Sequence, residues 1–251
     1  KEKKRGYLEF KNVSFKYEGA ERAAIENISF TAEPGKITAI IGGTGSGKST
    51  LIKLIPRLYD VTEGSILLNG VDIRHMSQKD LRSKMGIIPQ KSMLFSGTIA
   101  ENIRYGKEDA TIEEITHAAE IAQAMEFISE MEDGIESKIS QGGTNLSGGQ
   151  KQRLAIARAL VKKPEIYIFD DSFSALDYNT DAKLRRALRE TTHKAAIIIV
   201  AQRVTTIRKA DTIIVLDEGK IAGIGNHDSL IRNCEVYREI VSSQLSKEEL
   251  A

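Results

Sequence analysis

Gly42-Gly43-Thr44-Gly45-Ser46-Gly47-Lys48-Ser49 is the stretch on which the fold turns. It matches G-x-x-x-x-G-K-[ST]. It is preceded by the apolar run Ile37-Thr38-Ala39-Ile40-Ile41 and followed by a helical pattern over Ser49–Tyr59. A strand, a glycine-rich loop and a helix in that order form the setting in which the pattern cradles phosphate. Glycines let the backbone curl until several N–H groups point inward, and the following helix presents its positive N-terminus to the same anion. Lys48 adds a point charge for the outer phosphates, and Ser49 offers a hydroxyl to Mg²⁺. Thr50 completes the run.

Outward from this loop, short apolar runs recur at Ser65–Leu68, Met85–Ile88, Ile166–Phe169, Ala195–Ala201 and Thr212–Leu216. Continuous β-branched runs predict strands buried on both faces. Helical patterns lie between several of them, at Ile112–Met131, Gly148–Val161 and Thr180–Thr191. The alternation predicts an α/β fold with a mainly parallel sheet. Near the start, Leu8, Phe10, Val13 and Phe15 alternate with polar residues, which predicts an antiparallel, half-exposed β subdomain. Asp217-Glu218-Gly219-Lys220 predicts a hairpin turn. Residues 91–163 break the rhythm and read as a helical subdomain without a strand. The expected organisation is one domain over 1–251, with 1–90 and 164–251 forming the α/β core and 91–163 inserted into it.

Composition narrows the function. With 36 Lys+Arg against 35 Asp+Glu, the net charge of +1 excludes nucleic-acid binding by bulk electrostatics. One cysteine, Cys234, allows no internal disulfide and fits a reducing compartment. The longest apolar run, Ala195–Ala201, has seven residues, and a membrane-spanning helix needs about 20. The chain starts at Lys1 rather than Met and has no apolar stretch behind Lys1–Arg5, so a soluble piece of something longer is expected, with Lys1–Arg5 a solvated linker.

A phosphate loop of this kind also needs an acid at the end of a neighbouring buried strand to hold the metal. Ile166-Tyr167-Ile168-Phe169-Asp170 supplies Asp170. Between the two lies Leu146-Ser147-Gly148-Gly149-Gln150; with Gln90 and Ser174-Ala175-Leu176-Asp177 it makes the chain resemble the ATP-binding-cassette (ABC) family along its whole length. The resemblance implies a P-loop NTPase core that binds ATP and Mg²⁺. It implies that Tyr17 stacks on adenine, that Gly42–Thr50 hold the phosphates, and that Ser49, Gln90 and Asp170 face the metal. It implies that Leu146, Ser147, Gly148, Gly149, Gln150 and Asp177 reach the ATP of a second cassette packed head to tail. The run Leu94–Ile103, similar to exporters, implies membrane domains as further partners, on the cytoplasmic side of the cell membrane. Ser140-Gln141-Gly142-Gly143 departs from the Gly-Glu-Arg-Gly-like loop of many exporters.

Two further departures concern catalysis. Where the family carries Glu after the strand-end Asp, this chain has Asp171. The carboxylate is withdrawn by roughly one C–C bond, about 1.5 Å, and a misplacement near 1 Å at a reacting group costs on the order of 10²-fold in rate. Where the family reads Ala-His-Arg, this chain reads Ala201-Gln202-Arg203. Gln202 can hydrogen-bond a γ-phosphate but carries no proton or charge. His75, His117, His193 and His227 all lie elsewhere. With the P-loop and Leu146–Gln150 intact, the expectation is an exporter cassette with a degenerate, slowly hydrolysing site, paired in a heterodimer with a competent subunit, as in bacterial multidrug-type exporters. Two other readings stay open: a self-sufficient homodimeric ATPase, and a non-transport cassette clamping nucleic acid. Cys234 and His227 read as packing residues, and Leu230–Leu245 as an ordinary helix.

Overall fold

The computed structural model describes residues 5–191 and 194–248; most of the Lys1–Arg5 linker and His193 lie outside them. The chain opens with strands β1 (Leu8–Phe15), β2 (Ile25–Ala32) and β3 (Ile37–Gly42), then helix α1 (Lys48–Leu54). Strands β4 (Glu63–Leu68) and β5 (Val71–Asp72), helix α2 (Gln78–Ser83) and strand β6 (Met85–Ile88) follow. Next come β7 (Gly97–Thr98), helices α3 (Ile99–Arg104), α4 (Ile112–Ile121) and α5 (Met125–Ile128), strand β8 (Lys138–Ile139) and helix α6 (Gly148–Val161). The remainder is β9 (Ile166–Asp170), α7 (Tyr178–Thr191), β10 (Ala196–Val200), α8 (Val204–Ile207), β11 (Thr212–Asp217), β12 (Lys220–Gly225), α9 (His227–Asn233) and α10 (Glu235–Glu248).

The central sheet runs β12-β11-β3-β10-β9-β6. Every pairing in it is parallel except that of β11 with β12. The continuous apolar runs have a direct structural cause. On β10, Ile197 and Ile199 enter one hydrophobic core with the helices of residues 99–161, while Ala196, Ile198 and Val200 enter a second core. On β9, Tyr167 and Phe169 face the first core, and Ile166 and Ile168 the second. Both faces of these strands are covered, so no polar residue interrupts them.

The second core is roofed by an antiparallel sheet ordered β2-β1-β4-β5. Its alternating Leu8, Phe10, Val13 and Phe15 point inward, as expected of a half-exposed strand. The run Ser65–Leu68 belongs here as part of β4, not with the strands buried on both faces: only Ile66 and Leu68 are buried. Over four residues the alternation is too short to distinguish from a continuous run.

Further expectations are corrected, among them the single helix over Leu230–Leu245, which is two helices, α9 and α10, parted at Cys234. Helix α1 ends at Leu54 instead of Tyr59, because Pro56 lacks an N–H and clashes with a continuing turn. Residues 91–163 do contain strand: β7 and β8 pair antiparallel, Gly97 with Ile139 and Thr98 with Lys138. The hairpin at Asp217–Lys220 is present, with Glu218 at φ 43° and Gly219 at φ 78°, the left-handed pair of a two-residue turn. Arg5 is more than solvated linker, since its Nε lies 3.1 Å from Oε1 of the buried Glu165. Among the described residues no helix is long and apolar enough to cross a membrane.

Candidate nucleotide site

β3 delivers the glycine-rich loop to the C-terminal edge of the central sheet. Gly42 cannot be replaced quietly, since a Cβ there would lie 2.3 Å from the Leu216 carbonyl and 2.5 Å from Ser46 Oγ. Gly47 turns the chain into α1 with φ 101°, a conformation natural to glycine alone. Gly43, Thr44 and Gly45 are exposed on the loop, Ser46 is buried beneath it, and Ser49 is exposed at the helix start. Lys48 folds over its own loop. Its Nζ donates to the carbonyls of Gly42 and Gly43, each at 2.7 Å, and to Ser46 Oγ at 3.3 Å. Burial lowers the Lys48 pKa, while Asp171 and Asp170 oppose that shift.

The loop is braced from outside. Gly219, in the β11–β12 turn, donates its N–H to the Ser46 carbonyl at 3.1 Å and accepts from the Glu26 N–H at 2.9 Å. On the other flank the Tyr17 hydroxyl lies 3.1 Å from Thr50 Oγ1. The Tyr17 ring is half-buried and meets Phe15 and Tyr59 edge-on, with centroids at 4.8 and 5.4 Å. These contacts hold an aromatic face beside the phosphate loop.

β9 lies one strand away from β3 and ends in Asp170, half-buried. Burial pushes the Asp170 carboxyl up, the Asp171 charge pushes the same way, and Lys53 and Lys48 pull it back. Asp171 has φ 48°, which Asp tolerates better than most residues, and its N–H donates to the Val200 carbonyl at 2.8 Å. Burial raises its carboxyl too; the Gln202 N–H, the Gln90 amide, Arg203 and Lys48 act against that. Gln90 Nε2 donates to Asp171 Oδ2 at 3.1 Å. The structure therefore brings Gln90, Asp171 and the Gln202 backbone together, beside Lys48 and Asp170. The Gln202 side chain is exposed.

The other residues singled out in the sequence lie apart. Leu146 is buried, and Ser147, Gly148, Gly149 and Gln150 open α6. Ser147 Oγ accepts from the Gln150 N–H at 3.2 Å, and Gln150 Oε1 accepts from the Ser147 N–H at 2.9 Å, a reciprocal cap. Among the described residues no hydrogen bond joins this motif to the Gly42–Ser49 loop. Asp177 caps α7, accepting from the Thr180 N–H at 3.0 Å and from its hydroxyl at 2.6 Å. An added Cβ on Gly149 would sit 3.1 Å from the Ala175 carbonyl, so the start of α6 packs closely on the segment before Asp177.

Three contributors carry no sequence signal of their own. Ser172 is buried and donates to the Ile88 carbonyl at 2.7 Å, tying the end of β9 to the strand that leads to Gln90. Gln152 is 2% exposed and donates to the Pro89 carbonyl at 3.3 Å, so α6 grips the same strand end. Gln244, on α10, bonds the backbone on both sides of Arg203. Only the fold assembles these pairs from distant segments. His227 and Cys234 pack as expected: His227 Nδ1 lies 2.9 Å from the hydroxyl of the buried Tyr237, and Cys234 is buried.

The donors around the loop are a hydroxyl, two carboxylates and an amide, all hard oxygen groups suited to Mg²⁺ held jointly with phosphate. Two carboxyls raised by burial beside each other are groups that a cation would settle. Ser49, Asp170 and the Gln90 amide are the residues that would hold it.

Residues 25–174 match the ABC transporter family. An uncharacterised ABC transporter ATP-binding protein of Mycobacterium tuberculosis is 48% identical over 242 residues, covering 95% of this chain and 41% of the relative. An ATP-dependent lipid A-core flippase of Haemophilus influenzae is 44% identical over 243 residues, 96% of this chain and 41% of that protein. Among solved structures, a bacterial Atm1-family ABC exporter with ATP bound superposes with a TM-score of 0.91 at 41% identity, over 96% of this chain and 42% of that one. The chain thus spans about two fifths of the length of the relatives it matches.

Proposed function

The chain belongs to the ABC transporter family, and from that premise we propose that it is the ATP-binding domain of an exporter, with its own site degenerate and slow to hydrolyse. In this reading Tyr17 stacks on adenine, Gly42–Thr50 wrap the phosphates, and Lys48 leaves its loop carbonyls for the β- and γ-phosphates. Ser49, Asp170 and Gln90 would hold Mg²⁺, which would supply neutralisation of phosphate charge. Asp171 is the residue that orients the attacking water. Gln202 faces the γ-phosphate.

The observation that carries the reading is the arrangement around Asp171. A short carboxylate is held between the Gln90 amide and the Gln202 backbone, with no histidine beside it among the described residues. In Leu146–Gln150, in contrast, Ser147 and Gly148 are exposed, Gly149 and Gln150 are half-buried, and the helix start is capped. Two anion-binding helix starts on one chain that do not meet within it suit a head-to-tail pair in which ATP joins two cassettes. The partner is then a second cassette with Glu and His at the matching positions. Met93, Phe95 and Tyr105 are exposed at 73%, 47% and 64% beside α3. Large apolar side chains so displayed suit contact with the membrane domains, on the cytoplasmic side of the membrane.

ATP hydrolysis by the chain alone tests this. The expected result is Mg-ATP binding with very slow turnover, raised on the order of 10²-fold by Asp171→Glu with Gln202→His. Rapid, cooperative hydrolysis by the unmodified chain would instead mark a self-sufficient homodimer. Absence of Mg-ATP binding would overturn both.

A further inference from the structure

The loop between β10 and α8 carries Gln202, and its backbone is held from three sides. The Ala201 N–H donates to the Ile40 carbonyl at 3.1 Å, fixing the loop to the strand that feeds the phosphate loop. The Gln202 N–H faces the Asp171 carboxylate. The third contact comes from 40 residues downstream. Gln244 Nε2 donates to the Gln202 carbonyl at 2.7 Å, and Gln244 Oε1 accepts from the Val204 N–H at 2.8 Å. Arg203, the residue preceding α8, makes no side-chain cap, so Gln244 supplies the acceptor that the start of this helix otherwise lacks.

The side chain that does this is firmly aimed. Tyr237, fully buried, and the partly buried Ile240 and Val241 pack α10 on the core; they stand seven, four and three residues before Gln244. Positions i, i+3, i+4 and i+7 share one helix face. The amide of Gln244 thus emerges from an anchored stripe and grips the loop with both of its polar atoms.

We propose that Gln244 is a positioning residue for ATP hydrolysis: from α10 it sets the height of Gln202 over the γ-phosphate and the placing of the Gln202 N–H against Asp171. The inference rests on the role given to Gln202 in the preceding section. Gln90 donates to Asp171 on one side of the Gln202 backbone and Gln244 donates to the Gln202 carbonyl on the other, so the two contacts flank this loop from the segment after β6 and from the last helix.

The test uses the full-length protein and single-turnover hydrolysis of radiolabelled Mg-ATP, with nucleotide affinity and melting temperature measured in parallel. Gln244→Met removes both bonds at similar volume. Gln244→Glu keeps the acceptor for Val204 and loses the donor to Gln202. Both variants are expected to slow hydrolysis about tenfold, since small displacements of reacting groups weigh heavily on rate, with Mg-ATP affinity unchanged. A merely structural cap on α8 predicts that Gln244→Glu keeps the unmodified rate, and that result overturns the proposal. So does a parallel fall of rate and affinity in Gln244→Met. Failure of the unmodified protein to bind Mg-ATP condemns the functional reading itself and the proposal with it.

Discussion

Asp171 carries a charge that its surroundings resist. Its carboxyl is raised chiefly by burial, so the folded pKa lies above the unfolded one. Such a group favours the fold at acid pH and loses that contribution as pH rises through the folded value. Asp171→Asn, which keeps an acceptor for Gln90, is expected to raise the melting temperature of the nucleotide-free protein at neutral pH, by on the order of a degree. The gap to the unmodified protein should close as pH falls into the carboxylate range, as thermal melts across pH would register. At this scale the sequence is readable where function is packed into consecutive residues. Lys48, Ser49 and Asp170 stand in or at the end of recognisable local patterns. Ser172, Gln152 and Gln244 are single polar residues whose partners lie 84, 63 and 40–42 positions away, and only the folded chain makes those pairs neighbours.

Elements are legible in proportion to their length and punctuation. The long runs on β3, β9 and β10 were plain because both faces are buried. β7 and β8 are two residues each and meet across 40 positions, so no periodicity announces them. The helical stretch expected over Ile112–Met131 breaks into α4 and α5 at Gln123, with φ 59° and no glycine or proline to mark it. Arg153 on α6 donates to the Gln123 carbonyl at 2.8 Å, so a tertiary contact holds the break. The start of α4 offers a prediction. Glu114 closes a reciprocal cap with Thr111 and accepts from Lys107 and Lys163, and these hydrogen bonds take its pKa from 4.5 down to about 2. A depressed carboxylate stabilises the fold above its unfolded pKa and ceases to as pH falls through the folded value. Glu114→Gln should therefore lower the melting temperature at neutral pH, and the two proteins should converge between pH 4.5 and about 2.

Across the whole molecule, the Gly42–Ser49 loop and the Leu146–Gln150 helix start lie apart, and the proposed function gives them different partners. An added Cβ on Gly148 meets nothing within 4 Å, so the fold has room for a side chain there. Gly148→Glu should leave this chain's melting temperature and its own Mg-ATP affinity unchanged. If the proposed head-to-tail pairing holds, it should cut hydrolysis by the complete transporter at least tenfold, because a carboxylate would then stand where the partner's γ-phosphate approaches and like charges repel. Steady-state phosphate release, with nucleotide titration as control, measures both. Unchanged phosphate release would mean that this helix start meets no nucleotide. The α/β class and the nucleotide loop were legible from the sequence because they rest on contiguous segments. The placing of Ser65–Leu68 in the outer sheet was not, since sheet membership depends on which strand lies alongside.

The brace around the phosphate loop has a mechanical corollary. Glu26, Gly219 and Ser46 are joined in series, and Tyr17 returns to Thr50 on the far side, so the two ends of the nucleotide cleft belong to one closed frame. Such a frame behaves as a caliper with its jaws locked: on the proposed role of Tyr17, the span from aromatic ring to phosphate cradle is preset before any nucleotide arrives. In the proposed function, movement during a working cycle then falls to the segments outside the frame, those that carry Gln90, Leu146–Gln150 and Asp171–Asp177.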